Sequence, residues 1–225
     1  MIRAVLYDLD GTLLDLGPAL ELGRRAALRA LLGGPPPPRA ELCLRRIRDR
    51  FALADYADVL RGVALELGAD PRRAQRAERA LIQTVVQRVR WYPGARQTVQ
   101  ALRRRGLVLG LISTGFSRYQ RPKIRRFGLA KLFDPYLFIS GELSAEAAKP
   151  TTAMFRAFAR QSGISPAQVL MVGNLVEDVL GAHLAGMRAA LFAPAQLLYR
   201  PRIRLERPDL ILRRHRDLLP ALSRF

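Results

Sequence analysis

The sequence predicts an α/β fold: a doubly wound, mostly parallel sheet with helices on both faces and a helical segment inserted near its start. Three observations carry this. The short apolar run Arg3-Ala4-Val5-Leu6-Tyr7 stops at Asp8, with the turn-former Gly11 just beyond, the pattern of a buried strand whose C-terminal end is polar. From about Leu16 to Arg90, apolar residues recur at three and four, as in Leu20, Ala27, Leu28, Leu31 and again in Leu60, Val63, Ala64, Leu67. That is helical spacing, without strand-like alternation. After Tyr92-Pro93-Gly94, short apolar runs alternate with helical stretches, which implies parallel strands joined through covering helices.

The elements follow in order. Residues 3–7 form the first strand. Gly33-Gly34 and the four prolines after it break the first helix of the insert and read as a stiff linker, since proline lacks the N–H that a helix interior needs. Asp70-Pro71 reads as an N-cap with proline at the first helical position. Residues 16–90 are therefore expected to form a helical block, and residues 1–15 with 91–225 the α/β part. In that part a helix over about 95–105 leads through Gly106 to a strand at 107–112. Helical residues around 119–127 precede Gly128, and 136–139 reads as a strand. A helix at about 151–162, a short turn from Ser165-Pro166, a strand at 169–172, a helix at about 176–186 and a strand at 189–192 complete the pattern. Residues 210–212 read as a last edge strand before a terminal helix.

Composition narrows the function. Lys and Arg together number 38 against 19 acids, a formal charge of +19. Such a balance suits nucleic acid, an anionic membrane surface or acidic substrates. Yet only Lys123, Lys131 and Lys149 are lysines, and a selected phosphate-binding surface has little reason to avoid lysine. The arginines also scatter over helix faces, as at Arg24, Arg25, Arg45, Arg46, Arg72, Arg73, Arg103, Arg104 and Arg105. A compositional preference for arginine is the simpler reading, and no specific nucleic-acid partner is expected. No apolar run approaches the roughly 20 residues of a spanning helix, and Asp8 and Asp10 interrupt the first apolar stretch too early for a signal peptide. A cytoplasmic protein with no membrane partner is the expectation. Cys43 is the single cysteine, so no intrachain disulfide forms. Nothing in the sequence fixes an oligomeric state.

Ligands of such sheets bind at the carboxyl ends of the strands, so the polar residues there are the candidate site. The first strand ends in Asp8-Leu9-Asp10-Gly11-Thr12, and the strand at 107–112 in Ser113-Thr114-Gly115. Lys149-Pro150 opens a helix. The strand at 169–172 ends in Gly173-Asn174, with Glu177 and Asp178 beyond. Paired carboxylates and an amide oxygen suit a hard cation such as Mg²⁺. A hydroxyl, backbone N–H groups and a lysine suit a phosphoryl dianion.

These segments resemble the signatures of the haloacid dehalogenase (HAD) superfamily. Asp8-Leu9-Asp10-Gly11-Thr12-Leu13 is similar to its first motif, DxDGTL, and Ile112-Ser113-Thr114-Gly115 to its second. Lys149-Pro150 with Phe155 is similar to the third, and Gly173-Asn174-Leu175-Val176-Glu177-Asp178 to the fourth, GDxxxD. Tyr92-Pro93-Gly94-Ala95 resembles the family's return from its cap, and the helical block at 16–90 has the position of its C1 cap. The resemblance implies a Rossmann-like core and an Mg²⁺-dependent phosphatase acting on a small phosphorylated substrate. It implies Asp8 as nucleophile, Asp10 as general acid and base, and Ser113 and the Thr114 N–H as phosphoryl binders. Lys149 would stabilise charge on Asp8 and the phosphoryl group. The metal would be held by Asp8, the Asp10 carbonyl and Asn174, with Asp178 at the metal or behind it, orienting Lys149.

Two departures bear on activity. Asn174 stands where the family usually has aspartate, which removes one negative charge from the metal site and is expected to weaken metal binding. Thr114 stands where relatives often have asparagine. Asp10, in turn, is an acid where the metal-free haloacid dehalogenases carry a non-acid, which argues for phosphoryl transfer over carbon–halogen cleavage. A phosphomutase, and a binding or regulatory protein weakened by Asn174, remain alternatives. Thr12 reads as a structural hydroxyl and Asp15 as a hinge or helix-start residue. Neither His183 nor His215 has ligand spacing, and both read as structural or solvated.

Overall fold

The computed structural model describes residues 1–40, 42–44, 55–144, 146–194 and 201–225. Arg45 and Arg46 of the basic set lie outside them. Two compact units divide the chain: Met1–Asp15 with Trp91–Phe225, and Leu16–Arg90.

The first unit is built on a six-stranded parallel sheet. Its strands are β1 (Ala4–Asp8), β2 (Val108–Ser113), β3 (Leu137–Ile139), β4 (Val169–Gly173), β5 (Arg188–Phe192) and β6 (Leu210–Leu212), in the spatial order β3-β2-β1-β4-β5-β6. This is the doubly wound, Rossmann-like arrangement that the alternation predicts. Every residue of β1 and of β4 is buried. That is why both read as unbroken apolar runs rather than alternating ones: a parallel strand between two helical layers has no wet face. Leu6, Ile112 and Met171 share a core cluster with Met154, Phe155 and Phe158 of the helix Ala153–Ser162 and Val179 of the helix Val176–Leu184.

Register sets the level of the strand ends. Asp8 pairs with Ile112 and Tyr7 with Val172, so Asp8, Ser113 and Gly173 end neighbouring strands at one rim. One sequence expectation needs correction. Lys149-Pro150 does not open the following helix, which begins only at Ala153. Proline disfavours the helical conformation in the residue before it, and the Lys149 N–H instead donates to Thr114 Oγ1 at 3.1 Å.

The second unit is helical: α1 (Leu16–Leu32), α2 (Tyr56–Glu66) and α3 (Ala74–Arg88). Asp55 caps α2 by accepting the Ala57 N–H at 2.9 Å. Asp70 accepts the Arg72 N–H at 2.9 Å, and Pro71 starts a short 3₁₀ turn, Pro71–Arg73, that runs into α3. Leu28 and Leu31, Leu60 and Val63, and Leu81 and Val85 bring their apolar faces into one cluster, which also holds the buried thiol Cys43. Among the described residues no helix is long and apolar enough to cross a membrane.

His215 ties a late segment to an early one within the first unit. It is buried, its Nε2 lies 2.9 Å from the Thr12 carbonyl, and its ring lies 4.2 Å from that of Phe192. A carbonyl only accepts, so Nε2 carries a proton. Burial holds the His215 pKa down at about 4, opposed weakly by the Thr12 hydrogen bond. A histidine depressed in the folded state binds fewer protons there than in the unfolded chain. Its contribution to stability is therefore complete above about pH 6.5 and is lost as pH falls toward 4. Urea unfolding followed across that window should show a loss on the order of 3 kcal/mol from this group, with a shallower pH slope in His215→Leu. An unchanged slope in the variant would show that other groups govern acid unfolding.

Candidate active site

β1 delivers Asp8 to the rim buried, and the chain then turns tightly. Leu13 and Leu14 N–H groups both donate to the Leu9 carbonyl, and the Gly11 N–H donates to the Leu14 carbonyl at 2.8 Å. Gly11 adopts φ 85°, and a side chain there would bring its Cβ within 2.4 Å of Asn174 Nδ2. Glycine is thus required twice over, for its conformation and for the approach of Asn174. The Thr12 hydroxyl donates to Asn174 Oδ1 at 3.1 Å, so the loop after β4 is docked on the turn after β1. The sequence assigns Thr12 a structural role in its own turn; its partner is the amide across the rim.

Asp178 sits in the first turn of the helix Val176–Leu184. Its Oδ2 accepts the N–H groups of both Asn174 and Leu175, each at 3.0 Å, the way a carboxylate satisfies orphan donors at a helix start. Its Oδ1 accepts from Lys149 Nζ at 2.5 Å, and the same ammonium reaches Asp8 Oδ1 at 2.5 Å. The side chains of Lys149, Asp8 and Asp178 are 6%, 8% and 1% exposed. Two carboxylates against one ammonium leave this dry triad one negative charge in excess. Burial pushes the Asp8 carboxyl up to about 7; the Lys149 ammonium opposes the shift, and Asp178 and Asp10 add to it. For Lys149, burial works against the charge, but Asp178 and Asp8 outweigh it and hold the ammonium above its ordinary range.

Ser113 ends β2, buried, and Thr114 follows it with its carbonyl accepting from Gln120 Nε2 at 3.0 Å. Thr114 Oγ1 takes the Lys149 N–H, which links the second and third motif-like segments. Asp10 stands on the same turn as Asp8, with Oδ2 2.5 Å from Lys123 Nζ. Sequence reasoning gave Lys123 no role. The available signal was its helical phase with Gln120 and Ile124, the other buried positions of the helix Ser117–Phe127. His183 lies elsewhere, between the Leu205 carbonyl and Asp209, and His215 takes no part beyond its bond to Thr12.

The donor set fits a hard cation. Asp8, the Asp10 carbonyl and Asn174 Oδ1 offer oxygen only, and Mg²⁺ is commonly held by one or two carboxylates plus substrate oxygens. Burial, with Asp178 and Asp10 adding to it, disfavours the charged form of Asp8, and a cation held there would favour it. Both Asp178 oxygens are engaged, which suits it to orienting Lys149 and the 174–175 backbone rather than to direct ligation.

Residues 2–186 match the family model described as haloacid dehalogenase-like hydrolase. The chain belongs to this family. Among curated relatives of this HAD-like hydrolase, the phosphoglycolate phosphatase of Mannheimia succiniciproducens is 31% identical, over 83% of this chain and 84% of that protein. The phosphoserine phosphatase of Thermus thermophilus is 33% identical, over 84% of this chain and 87% of that protein. Among solved structures, the 2-haloacid dehalogenase of Pseudomonas syringae superposes on the HAD-like hydrolase with a TM-score of 0.71 at 27% identity, covering 100% of this chain and 99% of that one.

The packing of Gly173 gives a test of how tightly the rim is built. A Cβ there would lie 2.3 Å from Asp178 Cβ and Cγ, so Gly173→Ala must displace the carboxylate that holds Lys149. A stability loss of about 1–3 kcal/mol is expected from overpacking, together with a fall in turnover larger than that of a surface Gly→Ala control. Wild-type turnover in Gly173→Ala would mean that Asp178 can move without consequence for Lys149.

Proposed function

We propose that this HAD-like hydrolase is an Mg²⁺-dependent phosphomonoesterase that acts on a small phosphorylated metabolite through an aspartyl-phosphate. The observation that carries the reading is the pairing of Asp8, buried and held by Lys149, with a second carboxylate, Asp10, on the same turn. Relatives named for phosphoglycolate and phosphoserine support a small, anionic phosphoester as substrate. The choice among such esters is assigned to the helical unit Leu16–Arg90, the cap by its place in the sequence.

In this mechanism an Asp8 oxygen attacks phosphorus as the bond to the leaving oxygen breaks, and Asp10 gives that oxygen its proton. Asp10 then takes a proton from water as the water oxygen bonds to phosphorus and Asp8 is released. Lys149 fixes the Asp8 carboxylate and compensates charge in the phosphoryl group at a site shielded from water. Ser113 and the Thr114 N–H bind phosphoryl oxygens. Asp8, the Asp10 carbonyl and Asn174 would hold Mg²⁺, which supplies the positive charge that lets one anion approach another. Dehalogenation is the less favoured reading although a dehalogenase superposes well, because carbon–halogen cleavage has no oxygen leaving group for Asp10 to protonate.

Phosphate release from a panel including phosphoglycolate, phosphoserine and a hexose phosphate, with and without Mg²⁺, tests the reading. Asp8→Asn should lower turnover by at least about a thousandfold with the thermal midpoint little changed, because the amide is nearly isosteric and still accepts from Lys149. Substantial Mg²⁺-dependent phosphatase activity in that variant would sink the assignment of the nucleophile. Conversion of a sugar phosphate without phosphate release would favour the mutase.

Asn174 gives a separate expectation. Replacing its amide by a carboxylate restores a charge facing the cation, so Asn174→Asp should lower the Mg²⁺ concentration for half-maximal activity. The gain is limited because Thr12 already uses Oδ1 and the new charge repels Asp8. Unchanged half-saturation in a metal titration would place residue 174 outside the metal's direct contacts.

A further inference from the structure

Lysine is almost never fully buried unless it is paired, and Lys123 is 3% exposed. It lies on α5 (Ser117–Phe127; α4, Ala95–Arg104, precedes it), whose buried positions are Gln120, Lys123 and Ile124. One helical face thus carries two polar residues, each with a target on the rim: Gln120 donates to the Thr114 carbonyl, and Lys123 reaches Asp10 Oδ2 at 2.5 Å. The two oxygens of Asp10 are left unequal. Oδ2 is held by the ammonium, while Oδ1 is buried and has no hydrogen-bond partner among the described residues. A buried carboxylate oxygen without a partner is unfavourable, and such an atom beside a nucleophile is placed to meet a group that arrives with the substrate.

We propose that Lys123 is a positioning residue for Asp10: anchored at Oδ2, the carboxyl group keeps one orientation and presents Oδ1 to the leaving oxygen and then to water. The inference rests on the reading of Asp10 as acid and base. The proton moves between Oδ1, the leaving oxygen and the attacking water. Lys123 neither gives nor takes one during the cycle. An unanchored aspartate turns about χ1 and χ2 and loses alignment, and misplacement of a reacting group by about 1 Å can cost on the order of a hundredfold in rate.

The test compares wild type, Lys123→Met, Lys123→Arg, Asp10→Asn and the Asp10→Asn/Lys123→Met double variant at saturating Mg²⁺. An alkyl phosphate, whose leaving oxygen needs a proton, is set against p-nitrophenyl phosphate, whose leaving group does not. Lys123→Met should lower kcat on the alkyl ester by about 10- to 100-fold, with KM little changed and a much smaller loss on the aryl ester. Arginine, which keeps the charge and the donors, should recover part of the loss. In the Asp10→Asn background the lysine substitution should cost nothing further, because it acts through the carboxyl group that is already gone. Equal losses on both esters, or a full additional loss in the double variant, would overturn the proposal and make Lys123 a support of the fold alone. Asp10→Asn by itself decides the underlying reading: equal losses across the two esters in that single variant would remove Asp10 as the acid. Should Lys123→Met fail to show a wild-type thermal transition, Lys123→Gln carries the same comparison.

Discussion

The Lys149 ammonium lies 2.5 Å from both Asp8 and Asp178, with all three side chains nearly sealed from water. Charges in such a place are held only by partners, and removing Lys149, the one cation between two buried carboxylates, would typically cost about 3–5 kcal/mol. The rest of the rim is arranged around that requirement. Asp178 offers one oxygen to Lys149 and the other to the N–H groups of Asn174 and Leu175. The carboxylate that compensates the lysine therefore also closes the loop after β4. That loop presents Asn174 to Gly11 and Thr12, and Lys149 is itself fixed at its backbone by Thr114. Three strand-end segments, after β1, β2 and β4, are joined through one lysine.

The charge balance of the wider site follows from the same triad. Asp8, Asp10 and Asp178 face Lys149 and Lys123, three negative charges against two positive. An amide at position 174 leaves the rim less negative than a carboxylate there would, and Lys123 beside Asp10 works in the same direction. On the proposed function, a phosphoester dianion would meet less repulsion there, and a divalent cation less attraction. The two effects oppose each other, which is why the consequence of Asn174 for turnover is a separate question from its consequence for metal affinity.

The sheet was readable because parallel, doubly covered strands announce themselves as unbroken apolar runs, and β1 and β4 are buried throughout. The polar residues that end those runs could be placed at one rim by the same logic. Their partners could not. Nothing in local sequence pairs Thr12 with Asn174, 162 positions away, or Lys123 with Asp10, 113 positions away. Lys123 carries no motif, and only its phase relative to Gln120 and Ile124 marks it as buried. His215 sits among arginines in sequence, yet its ring is enclosed against Phe192, an environment supplied by a strand end that composition cannot reveal.

Strand β1 lies in the middle of the sheet, between β2 and β4. It leaves the ribosome before the other strands of its sheet, and its two neighbours begin only at Val108 and Val169. Until residue 173 has emerged, one edge of Ala4–Asp8 has no partner, and an apolar strand with an open edge is a template for pairing with other chains. Contacts this distant in sequence also slow folding once synthesis is complete. Nascent chains stalled or truncated between β2 and β4 should therefore depend on chaperones more heavily than the finished protein. Among the strands of the sheet, the one that carries Asp8 is made before its neighbours and sheltered late.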